Sequence, residues 1–228
     1  MHIPREFSAN ISSIGKAGQL KLSRARVGIA GLGGVGGIAF QLLVRAGVGR
    51  LRIADGGFFE ESNANRQLLW SREWDGRKKT DAAANFAKSA NPTCKIDSSG
   101  DVSQSNSRRF ASGCSAVIDA TDRAHSRVAV WRGCKKPGIP YVFASARGSQ
   151  GMFTIFRGQD FEKEFSLSQS RLSGFPPCDH ALGPVANAIG CVAAQQALNV
   201  ILGKPLVLFP RILSVDFLSE EPFSIHAF

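Results

Sequence analysis

The chain has 228 residues, of which 43% are hydrophobic and 20% are charged. This length and apolar fraction suit one domain with a buried core, and they exclude a disordered tail or a collagen-like repeat. The net charge is +10, and it is uneven: residues 1–150 carry 23 basic and 11 acidic side chains, whereas residues 151–228 carry 5 and 7. We therefore expect an anionic ligand or partner, bound by the first two thirds of the chain.

The five cysteines are odd in number, widely spaced and never arranged as C-x-x-C. This pattern predicts neither a disulfide framework nor a four-cysteine zinc site, and it favours a reducing cytoplasm. The N-terminus lacks the basic-then-apolar pattern of a signal peptide. An uncharged stretch over residues 27–44 is near the lower length limit of a membrane span. Its six glycines and Gln41 favour a strand, a turn and a helix instead, so no membrane partner is expected.

Strand-like and helix-like patterns alternate along most of the chain after a helical lead-in over residues 1–24. Short apolar runs predict strands at 26–30, 50–55, 94–100, 114–122, 139–146 and 151–156, and two more strands close the chain. Apolar spacing predicts helices at 38–47, 75–92, 125–136 and 185–203. The last helix is apolar almost all round, which predicts that it is buried together with Cys191.

A crossover region over residues 157–184 begins with a polar loop at 157–178 and separates the strand-rich part from the last helix. The alternation of strands and helices before it predicts an α/β fold. We expect a Rossmann-like, doubly wound, mostly parallel sheet with helices on both faces, in a single domain over residues 1–228.

A glycine-rich turn follows the first predicted strand, and its glycines are Gly31, Gly33, Gly34 and Gly36. Glycines permit a tight turn there, and the amide groups at the start of the following helix are suited to binding phosphate. Asp55 ends the second strand, where a carboxylate accepts hydrogen bonds from ribose hydroxyls. The pattern predicts a nucleotide site, and NAD, FAD and ATP all fit it.

Cations after the second strand favour nucleotidyl transfer over hydride transfer. As a carboxylate attacks the α-phosphate of ATP, negative charge moves onto pyrophosphate, and fixed cations stabilise it. Arg66 and Lys79 are the candidates for this task. Asp122 ends a strand-like run, and it is a candidate Mg²⁺ ligand through a hard carboxylate oxygen.

Taken in order, these motifs resemble the ubiquitin-activating superfamily of the ThiF, MoeB and HesA type, which adenylates the C-terminal glycine of ubiquitin-like or sulfur-carrier proteins. The matching segments are GQLKL (18–22), GLGGVGG (31–37), SNANRQ (62–67), GRKK (76–79), DATD (119–122) with Arg127, and LGPVANAIG (182–190). The resemblance implies ATP and Mg²⁺ as cofactors and a homodimer. It also implies that Asp55 binds ribose, that Asn63, Arg66 and Lys79 contact the phosphates, and that Asp122 ligates magnesium.

The sequence departs from the family pattern at several positions. Ala9 stands where a family arginine reaches into the partner subunit's ATP site, with Arg5 as a displaced substitute. Gly57 stands where the family has a second carboxylate, and Arg123 where an asparagine follows the magnesium ligand. The paired zinc cysteines are absent, so no zinc is expected. Cys178 lies where some members carry a cysteine that forms a thioester or persulfide, and it is a candidate for that role.

Alternative functions stay open. The carboxylate could belong to a peptide or a small molecule. A relative of the tRNA threonylcarbamoyladenosine dehydratases would use the positive charge to bind the tRNA backbone. An NAD-dependent oxidoreductase would use the same glycine loop, but it leaves Arg66 and Lys79 unexplained. A binding module without catalysis is favoured only by Ala9.

Overall fold

A computed structural model describes residues 3–167 and 180–228, in which helices pack against both faces of an eight-stranded sheet. The strands are β1 (Arg26–Ala30), β2 (Arg50–Ala54), β3 (Lys95–Ser99), β4 (Ala116–Asp119), β5 (Tyr141–Arg147), β6 (Gln150–Phe156), β7 (Arg211–Asp216) and β8 (Phe223–Ala227). The helices are α1 (Ser8–Arg24), α2 (Gly34–Arg45), α3 (Lys79–Ala90), α4 (Ser107–Ala111), α5 (Ala124–Lys135), α6 (Phe161–Glu164) and α7 (Gly183–Leu202).

The strand order is β3-β2-β1-β4-β5-β6-β7-β8. Strands β1 to β5 run parallel, and β6, β7 and β8 continue the sheet with antiparallel pairing. The strand order reverses between β1 and β4. The chain passes from β1 outward to β2 and β3, and it then returns to the other side of β1 to form β4 and β5. The predicted doubly wound, mostly parallel α/β fold is confirmed.

Two hydrophobic cores lie on opposite faces of the sheet. Helices α2, α3 and α7 cover one face, and α4, α5 and α6 cover the other. The strand β1 contributes to both cores, which explains its nearly uninterrupted apolar sequence. The second core is built around Trp131, whose ring lies 5.6 Å from that of Tyr141 and 6.3 Å from that of Phe161.

Helix α7 packs against α2 at backbone distance. A methyl group added at Gly190 would lie 2.2 Å from Cγ2 of Ile38 and 2.4 Å from the carbonyl oxygen of Val35. Only glycine permits this approach. The contact joins the helix that begins at the glycine loop to the longest helix of the chain.

The outer side of α7 is exposed, whereas the sequence predicted a helix buried on all sides. Its inner side belongs to the core, but only 39% of its most apolar window is buried, and Cys191 is exposed. The expectation that Cys191 is a core residue is therefore wrong, because apolar composition does not reveal which side of a helix faces its neighbours. In the described part of the chain, α7 alone is long and apolar enough to cross a membrane. Residues 27–44, the other apolar stretch, form β1 and most of α2.

Helices α4 and α6 lie in segments that were not predicted to be helical, and α2 begins at Gly34 rather than at residue 38. Helices of four or five residues contain little more than one turn, so their apolar spacing cannot be recognised in the sequence. The glycines at the start of α2 have poor helix propensity, and they conceal its first turn.

Candidate active site

Several loops meet at the carboxyl ends of the parallel strands, between β1 and β4. They enclose a cavity of about 830 Å³. Ligands of open α/β sheets bind at this position, where the strand order reverses. The predicted site residues that line the cavity are Gly31, Gly33, Gly34, Asp55, Asn63, Arg66, Lys79 and Asp122. Gly36 does not line it, and Cys178 lies outside the described residues.

The glycines of the loop have different tasks. Gly31 has a φ of +86°, and a Cβ there would lie 2.6 Å from the carbonyl oxygen of Ala120. A Cβ at Gly36 would lie 1.9 Å from the carbonyl oxygen of Gly31, so only glycine fits where α2 packs against the turn. Gly33 faces open space, with Nε2 of Gln67 as its nearest neighbour at 4.0 Å. Gly33 and Gly34 line the cavity, so the start of α2 borders it, as phosphate binding by the amide groups of a helix N-terminus requires.

The carboxylate of Asp55 holds the glycine loop against the end of β2. Its Oδ2 accepts a hydrogen bond of 2.6 Å from the backbone N–H of Leu32, and its Oδ1 accepts one of 2.7 Å from that of Gly57. Each oxygen keeps a lone pair for a further donor, such as a ribose hydroxyl.

A second carboxylate near the end of β2, that of Asp101, is not among the site residues predicted from the sequence. Oδ1 of Asp101 accepts a hydrogen bond of 2.8 Å from the N–H of Gly56, and Asp101 lines the cavity. A Cβ at Gly56 would lie 2.8 Å from Oδ2 of Asp101. Gly57 lacks the carboxylate of the family pattern, but the loop after β3 supplies a carboxylate beside Gly56. No local motif indicates this contact.

Arg66 and its neighbours belong to a tight loop that follows β2. Nη1 of Arg66 donates hydrogen bonds of 3.0 Å to the carbonyl oxygen of Ser62 and 2.8 Å to Oδ1 of Asn65, which fix the guanidinium at the cavity wall. Asn63 is 7% exposed, and its Oδ1 accepts a hydrogen bond from the N–H of Glu60. Asn63 therefore shapes the loop as well as lining the cavity.

Gln67 also lines the cavity, and it is not among the site residues predicted from the sequence. It is 6% exposed, and its Oε1 has no hydrogen-bond partner in the described part of the chain. A buried amide oxygen without a partner is costly, and a ligand donor in the cavity would satisfy it. The sequence signal that could have indicated Gln67 as a site residue is its position in the SNANRQ motif, directly after Arg66.

Lys79 is the first residue of α3. Its backbone N–H donates a hydrogen bond of 3.2 Å to the carbonyl oxygen of Gly57, which positions the start of the helix beside the end of β2. Its Nζ lies 5.8 Å from the ring centroid of Phe59. No acidic side chain of the described residues pairs with it, so its charge is available to a phosphate.

The DATD segment contains one buried and one exposed aspartate. Asp119 is fully buried, and it accepts hydrogen bonds from the backbone N–H and the hydroxyl of Thr121, from Nη1 of Arg127 and from the hydroxyl of Tyr141. Burial and the charge of Asp119 hold the pKa of Tyr141 well above its usual range, so the phenol remains a donor. Asp122 is exposed and lines the cavity.

Asp122 is the candidate metal ligand. Within residues 3–167 and 180–228, no group of three or more His, Cys, Asp or Glu side chains is arranged to hold a metal. Mg²⁺ does not need such a group, because it commonly takes one or two carboxylates together with substrate phosphates and water. An exposed carboxylate that lines the same cavity as the glycine loop fits that mode of binding.

The N-terminal residues lie apart from this cavity. Neither Arg5 nor Ala9 lines it, whereas Arg123, His125 and Arg132 do. Arg132 is engaged by Glu162 at 2.7 Å. The segment that follows Asp122 therefore contributes basic side chains to the cavity that the motif does not include.

A profile of the ThiF family matches residues 7–227. The chain is 29% identical over 210 residues to the SAMP-activating enzyme E1 of Haloferax volcanii, an alignment that covers 90% of this chain and 78% of that protein. It is 30% identical over 220 residues to the sulfur carrier protein ThiS adenylyltransferase of Bacillus subtilis, covering 94% of this chain and 65% of the relative.

The fold is also found among solved structures. The chain superimposes on E. coli MccB with ATP at a TM-score of 0.81, over 99% of this chain and 71% of that chain. The sequence identity is 20%, so this likeness shows the fold alone.

Proposed function

The chain belongs to the ThiF family, and from this membership and the geometry of the cavity we propose that it is an ATP-dependent adenylyltransferase that activates a carboxylate. One observation carries the proposal. The glycine loop, Asp55, Arg66, Lys79 and Asp122 come from separate segments, and all line one cavity where the strand order reverses. An oxidoreductase would need the glycine loop and Asp55, but it has no use for the cations.

The reaction follows from where the charges lie. The phosphates of ATP rest on the start of α2, with Asp55 beside the ribose. A carboxylate oxygen of the substrate attacks the α-phosphorus, the bond between the α- and β-phosphates breaks, and pyrophosphate leaves with the electron pair. Arg66 and Lys79 stabilise the charge that develops on pyrophosphate. Mg²⁺ held by Asp122 would neutralise phosphate oxygens as a Lewis acid.

We propose that the carboxylate is the C-terminal glycine of a ubiquitin-like or sulfur-carrier protein. Two relatives are named for activating such proteins. Part of the cavity wall is formed by small side chains from β5, from α7 and from the segment before α7: Ala144, Ser145, Ala146, Ala181 and Ala186. Small side chains leave room for an extended, glycine-ended tail.

The body of that protein would rest on the antiparallel end of the sheet. Phe223 and Ile225 of β8 are 56% and 58% exposed. Phe223 shares a register row with Ala146 across β5, β6, β7 and β8. Three strand spacings separate them by about 14 Å, which four or five extended residues can span.

We also propose a homodimer in the cytoplasm. The resemblance implies the dimer, and the partly exposed apolar helix α7 supports an interface there. A solution mass near the 24.4 kDa of one chain would exclude it. The four cysteines of the described residues form no disulfide, which suits a reducing compartment.

The proposal is tested by ATP–pyrophosphate exchange in the presence of a carrier protein that ends in Gly-Gly. Arg66→Ala and Lys79→Ala are each expected to slow exchange by about 100- to 1,000-fold, because each removes a fixed charge from the developing pyrophosphate. Arg157→Ala, at an exposed position outside the cavity, is the matched control and should exchange at the wild-type rate. Exchange that survives both cavity substitutions would exclude this site.

A further inference from the structure

The parallel strands begin at the end of the sheet that lies opposite the cavity, and this end carries a row of cations. Arg26, Arg50 and Lys95 are the first residues of β1, β2 and β3, and they are register partners. Side chains of register partners point to the same face, and neighbouring strands are about 4.8 Å apart. Like charges placed side by side in this way repel each other, so an anion bound against the row would be stabilising.

Helix α4 extends this row on the same face of the sheet. Arg52 follows Arg50 by two residues, and its Nη1 donates hydrogen bonds of 2.6 Å and 2.8 Å to the carbonyl oxygens of Arg109 and Phe110 in α4. The exposed side chains of α4 include two further cations. We define the basic face as Arg26, Arg50, Lys95, Arg108 and Arg109.

The charges of the basic face are not neutralised within the described part of the chain. Asp97 lies on the same face, but its carboxylate is paired with Nε of Arg52 at 2.8 Å. None of the five cations has an acidic partner within 4.0 Å among the described residues. None of them lines the nucleotide cavity either. The basic face therefore accounts for positive charge that the proposed adenylation does not use.

We propose that the basic face binds the sugar–phosphate backbone of a nucleic acid. Neutralising phosphates with lysine and arginine releases counterions and supplies affinity without base contacts. The composition of the surface favours this ligand over an acidic protein. Protein interfaces depend on aromatic and apolar anchors, whereas nucleic-acid interfaces are polar and strongly positive.

The exposed large apolar side chains of the described residues all lie elsewhere: Phe58, Leu68, Leu182, Phe217, Leu218, Phe223, Ile225 and Phe228. Strands β1 to β3 and helix α4 contribute none of them. Without an exposed aromatic ring for base stacking, the basic face binds nucleic acid independently of its sequence.

The test is fluorescence anisotropy with labelled RNA and DNA duplexes of about 20 base pairs, at salt concentrations between about 50 and 200 mM. The variant Arg50→Ala/Lys95→Ala is expected to weaken binding about tenfold or more at the middle of this range. It should also reduce the slope of log affinity against log salt by about 1.8, the value for two lost phosphate contacts. The control Arg157→Ala/Lys204→Ala removes the same charge from exposed positions elsewhere and should change affinity by less than about twofold.

Binding of either duplex with these properties supports the proposal, and a preference between them identifies the natural ligand as RNA or DNA. Failure of the wild type to bind at low salt, or equal weakening by both double variants, would overturn it. Binding of polyglutamate but of neither duplex would assign the face to an acidic protein instead. Pyrophosphate exchange by Arg50→Ala/Lys95→Ala should equal that of the wild type, which separates this result from the test of adenylation.

Discussion

Two aspartates that stand three residues apart in DATD have opposite environments. Asp119 is enclosed by donors and forms an ion pair with Arg127, which also donates from Nη1 to the carbonyl oxygen of Ala144. This pair joins β4, β5 and α5, and Arg127 also lines the cavity. Among the described residues, the Asp122 side chain has no such partners, and it lines the cavity. Burial therefore changes from complete to exposed within three residues of the chain, and only the exposed aspartate is a candidate metal ligand.

At the residue scale, we predict the effect of Asp122→Asn on the metal requirement. The substitution keeps the size of the side chain and removes its charge, so the Mg²⁺ concentration for half-maximal pyrophosphate exchange should rise about tenfold or more. Titration of Mg²⁺ at fixed ATP measures this shift. Asp81→Asn, at an exposed position on α3, is the control. An unchanged Mg²⁺ titration for Asp122→Asn would show that another group holds the metal.

At the element scale, the contact between α2 and α7 links packing to the site. The N-terminal end of α2 borders the cavity. Its first residue, Gly34, also packs closely against α7, because a Cβ at Gly34 would lie 2.9 Å from the Cβ of Ala186. The orientation of α2, and with it that of the glycine-rich turn, depends on how closely α7 approaches.

We therefore predict that Gly190→Ala destabilises the protein. The added methyl would overlap Ile38 and the backbone of Val35, and such overpacking costs about 1–3 kcal/mol of unfolding free energy. Urea unfolding measures the change. Cys191→Ala, at the adjoining exposed position, should stay within about 0.5 kcal/mol of the wild type. Equal stability of Gly190→Ala and the wild type would contradict the close approach of the two helices.

At the scale of the whole molecule, three surfaces lie on different parts of one sheet. The nucleotide cavity lies at the carboxyl ends of the parallel strands, the basic face at their amino ends, and the apolar strand β8 at the antiparallel edge. Within residues 3–167 and 180–228, β8 pairs with β7 alone, so its outer edge and its apolar side chains are accessible to a partner in this part of the chain.

We predict that Phe223→Asp/Ile225→Asp weakens the use of a carrier protein. The two charges would face the partner's apolar surface, so the apparent KM for the carrier in pyrophosphate exchange should rise about tenfold or more. Binding of ATP, measured by calorimetry, should be unchanged. Ser224→Asp/His226→Asp places the same charges on the other face of β8. If the two double variants behave alike, the carrier does not rest on the face that carries Phe223.

The fold class, most of the strands and helices, and the family were predictable from the sequence, because the signals that indicate them are local. Apolar runs specify the strands of a parallel sheet, and adjacent glycines specify the turn that follows β1. The motifs that carry Arg66 and Lys79 predicted the family, which the family profile matches over residues 7–227. Each of these signals depends on residues that are close together in the chain.

The tertiary structure alone decided which side chains meet across distant segments. It brought Asp101 to Gly56, buried Asp119 while exposing Asp122, exposed Cys191 on an apolar helix, and aligned Arg26, Arg50 and Lys95 in one row. These relations depend on the packing of helices on the sheet and on the register between strands. Burial and electrostatic contact are properties of neighbours in space, and the order of residues in the chain does not contain them directly.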